Sequence, residues 1–344
     1  MNARIRGMKG RLLDRDALER LIVKTDVEGV MTELQRTAYQ EAIEKASVRF
    51  SGMACIETAV RNDFTQAFRK VLGYVRGEDA EKYIRILLGR WDLQNIKTIL
   101  RGKNIHVPAS EIMECLVPAG ELDEITLGEL VKQPDVKSVI DLLATWRIVY
   151  AQPLTQNFKA YLERRDLTVL EYAIDRFSFD YALATLKGNS YDDQILRQMI
   201  MTEIDVTNVK TVLKLIRDRT TVEDAGQFLL EGGSSLGLEK LESLLRAGSI
   251  EAAVKQLRAT PYEFRGMIPA DVFIQEKISV IEKELDKLLI RKGVSHFFKD
   301  PLSIALAVGY LWAKYNEVTN IRIIARCKTA DISERVLREE LLYV

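Results

Sequence analysis

Carboxylates are the residues of this chain whose type and spacing could do chemistry. Glu57, Glu171 and Glu282 occupy one column of an internal pattern, CIETAVRN, VLEYAIDR and VIEKELDK. At helical spacing Glu57 shares its face with Met53, Val60 and Phe64, Glu171 with Leu167 and Ile174, and Glu282 with Ile278, Leu285 and Leu289. A carboxylate on an apolar face needs a donor, because burying it unpaired is very costly. Two readings are open: a general acid or base, or a structural clamp inside each repeat. The clamp is favoured, since three such sites come with no visible nucleophile, metal set or substrate loop. Asp192-Asp193 lacks the third aspartate of a DDxxD metal motif, and neither GxxxxGK[ST] nor GxGxxG occurs. His106 and His296 are the only histidines and do not form a ligand pair at helical spacing. Cys55, Cys115 and Cys327 contain no CxxC, which makes neither a zinc site nor a disulfide framework and points to a reducing compartment. No catalytic residue, metal site or cofactor site is expected.

The elements that must position these residues are helices. Tyr83, Ile84, Leu87, Leu88 and Trp91 recur at helical spacing, as do Ile278, Ile281, Leu285, Leu288 and Leu289. No sustained alternation marks a strand, so the chain is predicted to be all-α. Its 344 residues carry 50 basic and 50 acidic side chains and are 47% hydrophobic. That excludes a disordered chain and gives no support to a nucleic-acid binder. The longest uncharged run, Pro301 to Ala313, falls short of the roughly 20 residues of a spanning helix. The opening MNARIRGMKGRLL carries four basic residues and no apolar segment of a signal peptide.

Three blocks recur in order. The first reads LERLIVKTDVEGVMTEL from Leu18, LGELVKQPDVKSVIDLL from Leu127 and LESLLRAGSIEAAVKQL from Leu241, with Leu21, Leu130 and Leu244 also in register. The second holds the glutamates. The third reads DLQNIKTILR from Asp92, DVTNVKTVLK from Asp205 and EVTNIRIIAR from Glu317, at separations of 113 and 112 residues. This pattern predicts three similar helical domains over 1–120, 121–236 and 237–344, with joints at Pro118-Ala119-Gly120 and Gly232-Gly233-Ser234-Ser235. On a helical wheel Asn95, Asn208 and Asn320 edge the apolar face. Lys97 and Arg101, Lys210 and Lys214, and Arg322 and Arg326 point away from it. These six cations are the candidate partner-binding residues. Asp92, Asp205 and Glu317 are expected near a helix start or on the surface. We expect Glu57 to meet Asn95 or Lys97, Glu171 to meet Asn208 or Lys210, and Glu282 to meet Asn320 or Arg322, since each glutamate needs a donor.

The triplicated third block, the glutamate helices and the opening NARIRGMKGRLL resemble the C subunit of A-type ATP synthases and its relative, the d subunit of vacuolar ATPases, over essentially the whole chain. The resemblance implies a funnel of three helical domains about a pseudo-threefold axis, without an active site. It implies a rotor adaptor that couples the central-stalk subunits D and F to the membrane proteolipid ring, for ATP synthesis coupled to transport of protons or sodium. It further implies a peripheral position on the cytoplasmic face of the membrane and a natural start several residues upstream of Met1. Apart from the resemblance, a helical scaffold for soluble protein partners is the other reading of the same features.

Overall fold

Leucines spaced three apart open each of the first blocks, and all six are buried: Leu18, Leu21, Leu127, Leu130, Leu241 and Leu244. They lie in the short helices Arg15–Ile22, Glu124–Lys132 and Leu238–Leu245. Burying each side chain is worth about 1.5–3 kcal/mol. Asp14 and Asp123 cap the first two helices, their side chains accepting from the amides of Ala17 and Thr126. The helix that follows each one starts the same way, at Asp26, Asp135 and Ser249. Such caps use amides that a helix start leaves without partners. The computed structural model describes residues 1–258, 260–264 and 268–343, and in these it is helical with no strand. Val344, the last residue of the third predicted domain, lies outside the described residues.

Two compact units divide the chain, one of Met1–Leu167 with Val294–Val344, the other of Thr168–Gly293. Within the first, Ala305–Thr329 is the central helix, packed against Gly52–Val75, Asn2–Lys9 and the turn His296–Phe298. Every residue from Ala305 to Trp312 is buried. From Ala305 onward the uncharged run noted in the sequence is therefore a core helix, and no helix among the described residues is long and apolar enough to cross a membrane. An aromatic cluster of Phe64, Phe68, Trp91, Trp312 and Tyr315 fills the space beside it. In the second unit, Tyr191–Arg217 packs on Thr168–Thr185, Leu238–Leu245 and Ile250–Gln256. Its core gathers Val209, Val212, Leu213, Leu241, Leu244, Ile281 and Leu285.

Each third block sits in the interior of a long helix: Glu81–Asn104 (24 residues), Tyr191–Arg217 (27 residues) and Ala305–Thr329 (25 residues). At 1.5 Å per residue these run roughly 36–40 Å.

Candidate functional site

The asparagine column is buried, at 1%, 0% and 1% exposure for Asn95, Asn208 and Asn320. Each asparagine forms a two-way bond with the backbone of the residue 22 positions onward. Asn95 Nδ2 donates to the Val117 carbonyl at 2.7 Å while its Oδ1 accepts from the Val117 amide at 2.8 Å. Asn208 does the same to Leu230, at 2.8 Å both ways. Asn320 does the same to Leu342, at 3.2 and 2.8 Å. An amide side chain carries both a donor and an acceptor, so it can replace a missing backbone partner completely. A chain segment with no secondary structure of its own is thereby anchored to a helix without leaving buried polar groups unpaired.

The acidic column is also buried, which corrects the expectation of a helix start or a surface position. Asp92, Asp205 and Glu317 are 2%, 0% and 5% exposed and lie mid-helix. Asp92 accepts from the amides of Glu121 (2.8 Å) and Leu122 (3.0 Å). Asp205 accepts from Ser235 (2.7 Å) and Leu236 (3.3 Å), and from the Tyr262 hydroxyl at 2.6 Å. Glu317 accepts from the Leu13 amide and the Tyr39 hydroxyl, both at 2.5 Å. Leu13, Leu122 and Leu236 each stand one residue before the cap of a first-block helix, namely Asp14, Asp123 and Gly237. The acids thus fix where those helices begin. Gly120 and Gly233 make room for them. A Cβ at Gly120 would lie 2.1 Å from Asp92 Oδ1, and one at Gly233 would lie 2.0 Å from Asp205 Oδ1.

Burial governs the electrostatics. It pushes the Asp92 carboxyl up to about 7 despite the two amide bonds that favour the charged form. Burial also raises Asp205 and the phenol of Tyr262 bonded to it. Around Glu317 a cation joins the site. Lys314, 5% exposed, donates to Glu317 (2.6 Å), to Asp63 (2.6 Å) and to the Tyr39 hydroxyl (2.8 Å). Burial works against the Lys314 charge, but the two carboxylates more than offset it, and its pKa is raised.

Glu57 and Glu282 pair with the basic face of a third block, and differently from expectation. Glu57 holds Arg322 at 2.9 Å and Arg326 at 2.7 Å, not Asn95 or Lys97. Glu282 holds Lys214 at 2.8 Å, and Lys210 pairs with Asp286 at 2.6 Å. The reason is valence. The asparagines are consumed by backbone groups, whereas the cations stand off the core and reach a neighbouring helix. Glu57 and Glu282 are half-buried, and Lys214 and Arg326 keep 52% and 68% of their side chains exposed. Glu171, Lys97 and Arg101 are engaged in interactions as well. The signal for the clasps was present in the sequence, since an apolar residue follows each asparagine by the same 22 positions.

Other chemistry-bearing side chains are scattered. Cys55 is buried, Cys115 exposed and Cys327 half-buried. Among the described residues no group of three His, Cys, Asp or Glu is placed to hold a metal ion. What recurs is a set of polar clasps on three long helices. The ATP synthase (C/AC39) subunit family matches residues 1–340. The chain belongs to this family. Similar proteins include the A-type ATP synthase C subunit of Methanococcoides burtonii, 28% identical with 99% of this chain and 93% of that one covered. That of Halobacterium salinarum is 28% identical, covering 99% and 96%. That of Methanosarcina acetivorans is 27% identical, covering 99% and 91%. The matched span includes all three clasped helices.

Proposed function

We propose that this chain is a non-catalytic rotor adaptor of an A-type ATP synthase, coupling the central stalk to the proteolipid ring during ATP synthesis linked to ion transport. The carrying observation is the family match over residues 1–340, with relatives named as the C subunit of A-type ATP synthases. The geometry supports it physically. A torque-bearing part must resist shear between its helices, and buried two-way bonds with fixed register do so better than apolar contact alone. Three helical domains over 1–120, 121–236 and 237–344, arranged as a funnel about a pseudo-threefold axis, complete the reading. Support for the triplication comes from the identical offset of 22 residues in the Asn95, Asn208 and Asn320 bonds.

In this reading the stalk subunits D and F sit in one end of the funnel and the proteolipid ring meets the other, on the cytoplasmic face. The six cations Lys97, Arg101, Lys210, Lys214, Arg322 and Arg326 contribute to the stalk contact. Lys214 and Arg326 contribute most because their side chains stay over half exposed while paired. Charged contacts give orientation and salt sensitivity. Membrane fractionation tests the proposal. The chain is expected to sediment with membranes and to leave them when the peripheral sector is stripped. Recovery only with soluble partners would replace the proposal by a scaffold role.

A further inference from the structure

The four basic residues of the opening run are left unused by the clasps, and two of them border a cleft of about 730 Å³ in the first unit. The cleft is walled by Asn2–Lys9 and the residues after it, by Gln40–Ser47, by Gly52–Val75 and by the central helix Ala305–Thr329. Its acids are spoken for. Glu41 is paired with Lys45 at 2.5 Å, and Asp63 is paired with Lys314 at 2.6 Å. Lys314 itself forms the floor but has nothing left to give. Its three N–H donors go to Asp63, Glu317 and Tyr39, so it is a structural cation.

Three cations on the walls, Arg4, Arg11 and Lys70, form no close ion pair among the described residues, and Lys70 reaches Glu41 only through its longer-range field. Arg4 only stacks over the Tyr74 ring at 5.1 Å, which leaves its N–H donors available. Many exposed cations of this chain find an acid one helical turn away, as Lys45, Lys137 and Arg335 do. The chain as a whole is neutral, with 50 basic and 50 acidic residues, so a surplus of three positive charges on one cleft is a local concentration. A second observation is independent of charge. Tyr310 lines the cleft, is 3% exposed and makes no side-chain hydrogen bond among the described residues. Its hydroxyl is not one of the sealed polar atoms that lack a partner, so the phenol keeps its polar tip open to the cleft it lines.

We propose that this cleft binds a phosphate-bearing anion, with Arg4, Arg11 and Lys70 meeting the phosphate oxygens and the Tyr310 hydroxyl donating to the same group. Guanidinium groups match phosphate oxygens in pairs and lysine supplies a point charge. The volume lies in the range of small-molecule sites and exceeds what a single inorganic phosphate fills. A pyrophosphate, a phosphorylated metabolite or a lipid phosphate headgroup all present the required chemistry.

Calorimetric titration of the full chain with inorganic pyrophosphate tests the free source. Flotation with phosphatidylcholine vesicles, with and without phosphatidate, tests the lipid source. The expected result is saturable binding in at least one arm, weakened as salt is raised. Arg11→Gln or Lys70→Gln should each weaken it by roughly tenfold, and Tyr310→Phe by a smaller factor, with the circular dichroism spectrum unchanged. Binding to phosphatidate vesicles alone would assign the lipid source, and binding to pyrophosphate the free one. A control variant, Lys240→Gln/Lys277→Gln/Arg258→Gln, removes three charges elsewhere. Absence of binding in both arms overturns the proposal. So does equal weakening in the control, or unchanged binding in the combined Arg4→Gln/Arg11→Gln/Lys70→Gln variant.

Discussion

Replacing Asn208 by leucine tests whether the asparagine clasps hold the fold together. Asn208 is fully buried and is the partner of both polar groups of Leu230, at 2.8 Å each. Leucine has a similar volume, so the substitution opens little cavity. It leaves one amide and one carbonyl buried without partners. Each such loss costs about 1–3 kcal/mol, giving about 2–6 kcal/mol for the pair. Taking about 3 kcal/mol and a urea slope of about 2 kcal/mol per M, the transition should move down by about 1.5 M. The helical circular dichroism signal reads this directly. The Asn95→Leu variant should lose a similar amount, because its bonds to Val117 are as short. Asn320→Leu should lose less, because its bond to the Leu342 carbonyl is 3.2 Å. An Asn208→Leu protein within about 0.5 kcal/mol of the parent would refute the reasoning, because the Leu230 groups would then have found other partners at no cost.

Three further outcomes are expected. Asp92 is raised to about 7 from an ordinary 3.8, so the folded state holds its proton more tightly than the unfolded one. Its contribution to stability is full below about pH 4 and is lost as pH rises toward 7, by at most about 4 kcal/mol; denaturation against pH should show a shallower fall in that window for Asp92→Asn, and an identical fall would contradict the burial argument. Gly120→Ala and Gly233→Ala should each lower thermal stability by about 2–4 kcal/mol, because the new methyl meets a pinned carboxylate, whereas Gly128→Ala, in open helix surface, should be neutral or raise it by up to about 1 kcal/mol. A double-mutant cycle should give a coupling of about 1 kcal/mol for Glu57 with Arg322, whose side chains are both about a quarter exposed, and about half that for Glu57 with the exposed Arg326; zero coupling at both would remove Glu57 as a clamp.

The fold class was legible because helical periodicity is a local property. Tyr83 through Trp91 and Ile278 through Leu289 lie on helices as spaced, and the six first-block leucines are all core. The columns of the third block were also legible as columns. Their roles were not, because those depend on partners that local spacing does not show. Asp92 reaches residues 29 and 30 positions ahead, and Glu317 reaches back across 304 positions to Leu13. A wheel drawn for one helix places an acid near the edge of its apolar face and reads it as solvent-facing. It cannot show that a neighbouring segment covers that edge. The glutamate column was read as needing donors from the asparagines or their neighbouring cations, but valence gave Glu57 and Glu282 to arginine and lysine because the asparagines were taken by backbone. The cleft lined by Arg4, Arg11 and Lys70 had only a composition signal, the basic opening run. Its walls come from helices that are far apart in sequence.

The adaptor role itself is tested most directly by purifying the intact rotary complex through a tag on this chain and resolving its composition by native mass spectrometry. One copy of the chain is expected, in a particle that holds both the stalk subunits D and F and the proteolipid ring, with the ring lost from the stalk when the chain is absent. A complete stalk-and-ring particle assembled without this chain would contradict it.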